Sequence, residues 1–581
     1  MAANSKYIAN KMSTAILISV VISILSYQVP IIINPIMAGN CISNYAVAMT
    51  ALAAPVLEWC YALIFLFAVG ESYIIAEYIS VNDVHEARAH FSVAISSTFF
   101  IMSVLAFSLI LFREQIAIYL SNDSQEITEL LSEFLSSQAW TFIPLGLSFA
   151  IEYNLRAEGK LKYTAGTNIL FSILYVVFGL VFIRVLKTGI HSFALASIAS
   201  NIIIIAADCF YIKKESILRF VRVGKRYLEY LKKNLLKGFP IMADDILTIV
   251  FFFLNNMMIV TYSSPEDSVV WGISCVFFSI AMTIGTVFTE SSLSLGLSLN
   301  SGKDYRGCRQ MITKYRTIIS TITVLAITTV LVFPGIIIRL FGGTASEESI
   351  THLSLAIPLM IIFSLLIFES TNYYLLNQSK KYMASILASY MGPVLMSYVA
   401  FIIAPELFWY SLSGSAIVSI IFILIFRRDV NRQFNALYED IISVEQSIPY
   451  DMAAIGPAMD IVLNFLKDNN IAESQINSVL HYVDELSYNI IKHGIEKVKN
   501  KSFGLMAVIS GNGLRMTFKY DGIPFNPIIK FNDNGSNEIC RKEKMQLALR
   551  LFNKYAISPS YSYSYGINIV SMTIPNRKHL Q

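Results

Sequence analysis

The sequence predicts an all-α polytopic membrane domain of about twelve spanning helices in two six-helix halves, followed by a soluble two-layer α/β sandwich. Three observations carry this. The chain of 581 residues is 55% hydrophobic and only 14% charged, too apolar for soluble domains of that length. Apolar runs long enough to cross a hydrocarbon core of about 30 Å recur as far as Phe426. After Arg427 and Arg428 these runs stop, and charges and asparagines take their place. The predicted domains are 1–430 in the membrane, a linker at 431–441 and a soluble domain at 442–581.

The spanning runs fall at 14 to 36, 48 to 70, 91 to 112, 131 to 155, 163 to 183, 190 to 212, 236 to 262, 268 to 298, 315 to 341, 352 to 376, 382 to 403 and 408 to 426. The first lacks a small-residue cleavage site and is long enough to span, so it reads as a retained helix. Basic residues mark the cytoplasmic loops. Lys213, Lys214, Arg219, Arg222, Lys225, Arg226, Lys232, Lys233 and Lys237 crowd the connection between the sixth and seventh runs. The loops two helices to either side hold Arg156, Lys160, Lys162 and Lys303, Arg306, Arg309, Lys314. An even number of spans then predicts a multi-pass protein of the cell (inner) membrane with both termini cytoplasmic. The net charge of +4 comes from residues beside apolar runs rather than from a separate patch, which excludes nucleic acid as the expected partner. The six cysteines are scattered singly without a CxxC pair, so neither a disulfide framework nor a zinc site is predicted.

An internal repeat divides the membrane part. Tyr78-Ile79-Ser80-Val81-Asn82-Asp83 matches Leu299-Asn300-Ser301-Gly302-Lys303-Asp304 at an offset of about 221 residues, and Lys162-Tyr163-Thr164-Ala165 matches Lys381-Tyr382-Met383-Ala384. Six helices are followed by six in the same orientation. Parallel repeats about an axis along the membrane normal are a transporter design, with the path between the halves. The run Asn34-Pro35-Ile36-Met37-Ala38-Gly39, the stretch from Ala46 to Pro55, Val69-Gly70 and Ala76 to Ala87 resemble the N-terminal signature of the multidrug and toxic compound extrusion (MATE) family. Phe239-Pro240 and the loop around Gly302-Lys303-Asp304 are similar to its second-half counterparts. The resemblance covers about three quarters of the chain and implies an antiporter that exports organic, often cationic, small molecules in exchange for Na+ or H+.

Acids within the apolar runs are functional candidates, because an ionisable group in lipid must be paired or face water. They are Glu58, Glu71, Glu152, Asp208, Asp244, Asp245, Glu290 and Glu369. Asp244 and Asp245, just inside the seventh run, with Glu369 deep in the tenth, are the predicted coupling-cation site: two acids in low dielectric hold a proton or sodium ion readily. The resembled family commonly carries an aspartate in the first helix where this chain has Asn34. An amide cannot bind and release a proton, though its carbonyl can serve sodium or a substrate.

The tail reads as mixed α and β. Ser474 to His493 is an amphipathic helix with Val479, Val483, Leu486 and Ile490 on one stripe. Strands are predicted at Ser502 to Ser510 and Leu514 to Tyr520, joined through Gly511-Asn512-Gly513, and near Ser560 to Tyr563 and Asn568 to Ile574, with a further helix near Lys544 to Lys554. Asp484 to Gly494, then Asp521-Gly522-Ile523-Pro524-Phe525-Asn526-Pro527, then Tyr565-Gly566-Ile567-Asn568 resemble the anti-sigma-factor serine kinases, a branch of the histidine-kinase-like ATPases. That resemblance implies Glu485 as catalytic base, Asn489 as ligand of Mg2+, Asp521 as reader of the adenine amino group of ATP, and Gly522 as the residue leaving room for the ring. The family's glycine-rich phosphate loop is replaced by Lys542-Glu543-Lys544-Met545-Gln546-Leu547-Ala548-Leu549, whose side chains would crowd close backbone approach. Kinase activity in the tail is thus left open.

Three readings follow. The favoured one is a cation-coupled multidrug antiporter in the lipid bilayer whose cytoplasmic ATP-binding tail regulates it. The alternatives are a membrane-tethered serine kinase or anti-sigma-like signalling protein with the helices as sensor and a protein partner for the tail, and a lipid-linked sugar flippase.

Overall fold

In a computed structural model, the structure describes all residues except 1, 43, 81–82, 122–124, 263–264, 341–344, 440–441, 495–500, 511–512, 528–556, 565 and 576–581. Fourteen helices lead into the tail. They are α1 (Ala2–Cys41), α2 (Asn44–Ser80), α3 (Val84–Ser121), α4 (Gln125–Ala139), α5 (Phe142–Ala157), α6 (Leu161–Leu180), α7 (His191–Glu215), α8 (Tyr227–Tyr262), α9 (Pro265–Ser301), α10 (Tyr305–Val332), α11 (Pro334–Leu340), α12 (Glu347–Leu375), α13 (Ser379–Ile403) and α14 (Leu407–Glu439). The tail runs β1 (Ile442–Pro449), α15 (Ile455–Asp468), α16 (Glu473–His493), β2 (Ser502–Ser510), β3 (Gly513–Tyr520), β4 (Ile557–Ser564) and β5 (Ile567–Pro575).

Ten helices among the described residues are long and apolar enough to cross a membrane, or eleven if α4 and α5, bent by 42° at the break between them, count as one span. The sequence led to about twelve, and the two counts differ at the fourth and seventh runs. The fourth run is broken at Trp140 and Thr141, where α4 stops and Thr141 starts the next helix. The seventh lies on α8, which begins well before it in the basic connection. Lipid exposure is visible in the side chains: α3 leaves Phe99, Phe100, Phe107 and Leu111 outside while Phe91 and Met102 are buried.

The repeat is written in the helix boundaries. α2 and α9 open at Asn44 and Pro265 and close at Ser80 and Ser301, α1 and α8 close at Cys41 and Tyr262, and α3 and α10 open at Val84 and Tyr305; every pair is 221 residues apart. Matching acids start the third helix of each half. Asp83 Oδ1 accepts from the Glu86 amide at 3.1 Å, and Asp304 Oδ1 accepts from the Gly307 amide at 2.8 Å. Each satisfies an otherwise orphaned N–H of a first turn.

The chain divides into two compact units. One comprises Leu17–Gly302 and Ile312–Val430, and the other Met1–Ile16, Lys303–Met311 and Asn431–Gln581. In the second, five strands form one antiparallel sheet in the order β1-β2-β3-β5-β4. Period-two alternation turns Phe503, Leu505 and Ala507 of β2 and Leu514, Met516, Phe518 and Tyr520 of β3 toward α15 and α16, whose Val462, Leu466, Val479, Val483, Leu486 and Ile490 complete the core. β1 and α15 were not foreseen, and the helix predicted near Lys544 to Lys554, with Lys542, lies outside the described residues.

Candidate functional site

The membrane unit gathers its buried charge into separate networks. The largest joins the halves. Arg156, near the end of α5, is fully buried and donates from Nη1 to Glu290 Oε2 on α9 at 2.8 Å. Its Nη2 pairs with Glu152 one turn back, and its guanidinium lies over the Tyr153 ring, 4.6 Å from the centroid. Tyr153 donates its hydroxyl to Glu290 Oε1 at 2.8 Å. Ser23 of α1 and Asn168 of α6 donate to Glu152 Oε1 at 2.9 and 2.8 Å. Two acids sharing one arginine, with hydroxyl and amide donors on their remaining lone pairs, is how a buried charge becomes tolerable. The sequence reading placed Arg156 in a cytoplasmic loop; the structure corrects this. Its spacing of four from Glu152 was the available signal, since i and i+4 share a helix face.

Among the predicted coupling acids, Glu369 and Asp244 meet different partners. Glu369 on α12 is 1% exposed and engaged by Arg316 of α10, with Nη2 to Oε2 at 2.7 Å and Nε on Oε1, while Asn372 donates to Oε2 at 3.3 Å. Asp244 on α8 instead lies within hydrogen-bonding reach of Tyr390 on α13, whose hydroxyl also shares a 2.7 Å bond with Thr248. Asp245 neighbours it in sequence, and Tyr382 of α13 lies in the field of both aspartates. Asn34 accepts a hydrogen bond from Tyr175 of α6 at 2.7 Å through Oδ1. Arg316 was not singled out from sequence, because an arginine eleven residues into α10 reads as the tail of the preceding basic loop. The Glu58 side chain lies outside the described residues.

In the other unit, Glu485 and Asn489 sit one turn apart on α16, both buried, and Asn489 donates from Nδ2 to the Pro527 carbonyl at 3.3 Å. The strand-end loop is pinned by Asn568: its Oδ1 accepts from the Phe525 amide at 3.0 Å and its Nδ2 donates to Ile523 O at 3.1 Å. Gly522 there has φ of 124°, which a side chain rarely adopts. Asp521 meets Tyr450 of the tail and two residues of the N-terminal segment of the same unit. Tyr7 donates its hydroxyl to Asp521 Oδ2 at 3.1 Å and Lys11 Nζ lies 3.7 Å from that oxygen. The helix-facing position before it is Tyr520, which donates to Phe525 O. Asp521, like Glu485 and Asn489, is buried within this unit. The outer face of the sheet is occupied in the same way: Lys519 pairs with Asp304, Arg306 Nη1 reaches Glu445 Oε2 at 3.0 Å, and Ile8 lies against Gly504.

Residues 16–181 match the family model MatE. No curated protein sequence matches the chain. Among solved structures, an Asp-to-Asn variant of the Vibrio cholerae MATE transporter VcmN is similar at 13% identity with a TM-score of 0.67, covering 75% of this chain and 99% of that one. A multidrug resistance MATE transporter of the MOP superfamily in its outward-facing conformation gives 15% identity and a TM-score of 0.64 over 74% and 97%. A MOP superfamily transporter from Pyrococcus furiosus gives 16% and 0.63 over 74% and 96%. The chain is thus a multi-pass membrane protein whose residues 16–181 match the MatE family and whose membrane part has the fold of the MATE transporters.

Proposed function

We propose that the chain is a cation-coupled antiporter that exports organic small molecules in exchange for Na+ or H+, and that its tail is a regulatory module. The Arg156–Glu290 pair carries the reading: it ties α5 of the first half to α9 of the second in the interior, where a rocking motion of one half against the other must break and remake it. Asp244 is the coupling residue of this reading. It is an acid on the first helix of the second half with a tyrosine as its partner, whereas Glu369, Glu152 and Glu290 each have an arginine. The tail is the regulatory module of this reading, with ATP as its expected ligand and Asp521 held by Tyr7 and Lys11.

The test is dye transport in inside-out vesicles. A sodium or pH gradient should drive uptake of a fluorescent organic cation, and Asp244→Asn should bring it to background at unchanged protein level. Uptake that ignores both gradients, or that persists in Asp244→Asn, refutes the coupling.

A further inference from the structure

A second acid lacks an arginine and sits where the halves touch. α2 and α8 meet backbone to backbone: a Cβ on Gly70 would lie 2.3 Å from Gly238 Cα, and one on Gly238 would lie 2.0 Å from Leu66 O. Glu71 follows Gly70 and is 0% exposed. Its Oε1 accepts from Asn234 Nδ2 of α8 at 3.1 Å and from Ser97 Oγ of α3 at 3.5 Å. Its Oε2 is buried with no hydrogen-bond partner among the described residues. Asn234 is oriented in turn by His90 of α3, with 2.6 Å between Oδ1 and Nδ1. His90 is also 0% exposed, stacked on Tyr78 at 5.3 Å and edge-on to Tyr230 at 4.8 Å.

The neighbours on Glu71 are an amide and a hydroxyl, both neutral. A buried carboxyl with one open oxygen and no cation beside it is what a protein interior avoids unless something small fills the gap. We propose that Glu71, Ser97 and Asn234 form a binding site for a small monovalent cation, a proton or Na+, at the crossing of α2 and α8, with His90 as the positioning residue that fixes the Asn234 amide.

The site rests on the antiport reading for its role, since a cation bound there is bound at the contact of the two halves. The surrounding titratable groups define its approach. On α2 they are Glu77 and Tyr78, on α3 Glu86 and His90, and on α8 Tyr230, Lys233 and Lys237, with Arg226 just ahead of that helix; Lys237 is paired with Glu77 at 2.9 Å and Arg226 with Glu86 at 3.2 Å. His90 lies in the field of Lys233, Glu86 and Arg226, so it is the link between this charged cluster and Asn234.

The experiment measures binding, not transport, on the purified full chain in detergent. Its melting temperature is titrated with sodium chloride against choline chloride, and infrared spectra of the chain and of Glu71→Gln are compared in the carbonyl region of protonated carboxyls. Stabilisation by Na+ that disappears in Glu71→Gln assigns a sodium site. No sodium effect, but a protonated-carboxyl band lost in Glu71→Gln, assigns a proton site. The absence of both signatures overturns the proposal. Ser97→Ala is the milder variant and should raise the half-saturating sodium concentration about tenfold, or move the position of that band. His90→Gln should do the same; a Ser97→Ala and a His90→Gln that both leave the signature at its parent value also overturn the assignment. A site seen here beside failed dye transport leaves Glu71 standing and sinks the antiport reading, so the two failures are separable.

Discussion

Replacing Arg156 with methionine keeps most of the side chain's apolar volume and removes its charge. In the structure this leaves Glu152 and Glu290 facing each other's field without their shared cation. Breaking a buried pair by removing one partner costs about 3–5 kcal/mol, and here two carboxylates lose the same partner. Had Arg156 lain in a loop, as the sequence alone suggested, the change would cost less than about 0.5 kcal/mol. At roughly 2–4 °C per kcal/mol for domains of a few hundred residues, the apparent melting temperature of the purified protein should fall on the order of 6–20 °C. Adding Glu152→Gln and Glu290→Gln to Arg156→Met should recover much of the loss, because the network is then neutral throughout and Ser23 and Asn168 can still bond to the amide at 152. A shift of Arg156→Met within about 1 °C of the parent chain would refute the buried network. A triple variant no more stable than the single one would refute its electrostatic origin.

Two further outcomes concern the tail. Tyr7→Phe deletes a hydrogen bond to a carboxylate, worth about 1.5–3 kcal/mol, so amide exchange in residues 2–16 and in the Asp521 loop should rise together; a change confined to one of them would refute their pairing. Asp304 gives a pH dependence. Burial alone would raise its carboxyl, but the Lys519 ammonium, the Gly307 amide and the Arg306 guanidinium outweigh this and hold it below its ordinary value. A depressed folded value means its contribution is complete above the unfolded carboxylate value of about 3.9 and is lost as pH falls through the folded one. Exchange in residues 303–311, taken relative to the intrinsic rate at each pH, should therefore be flat from neutral pH down to about pH 5 and rise only in stronger acid, whereas Lys519→Met should raise it at neutral pH already. Unchanged exchange in Lys519→Met would refute the pair.

Much of the fold was legible because apolar length and repeat spacing are local properties of the chain. The match of Tyr78 to Asp83 with Leu299 to Asp304 anticipated helix pairs whose ends agree at 221 residues. The hairpin of β2 and β3 was legible from alternation and a Gly-Asn-Gly turn. β1 escaped notice because it is a sheet edge with only Gln446 and Ile448 buried, so it shows almost no periodicity. The site was read less well, for one physical reason: partners distant in sequence decide what a charged group does. Glu369 looks like a lone intramembrane acid until α10 brings Arg316 to it from 53 residues away, and Asp521 gains a partner in Tyr7 across 514 residues. Composition has no access to either encounter.

The bare crossing of Gly70 and Gly238 bears on how motion between the halves is paid out in time. Where long side chains interdigitate, sliding one helix past another means hopping many rotamers out of their wells together, and the barrier is shared among all of them. At this point there are no rotamers to hop. Peptide faces peptide at a separation that not even a methyl group would tolerate, so the contact can roll smoothly but cannot widen without opening a void on both sides. The two glycines thus make a fulcrum: a spot of low friction and fixed radius about which flanking side chains, not the axis itself, set the pace.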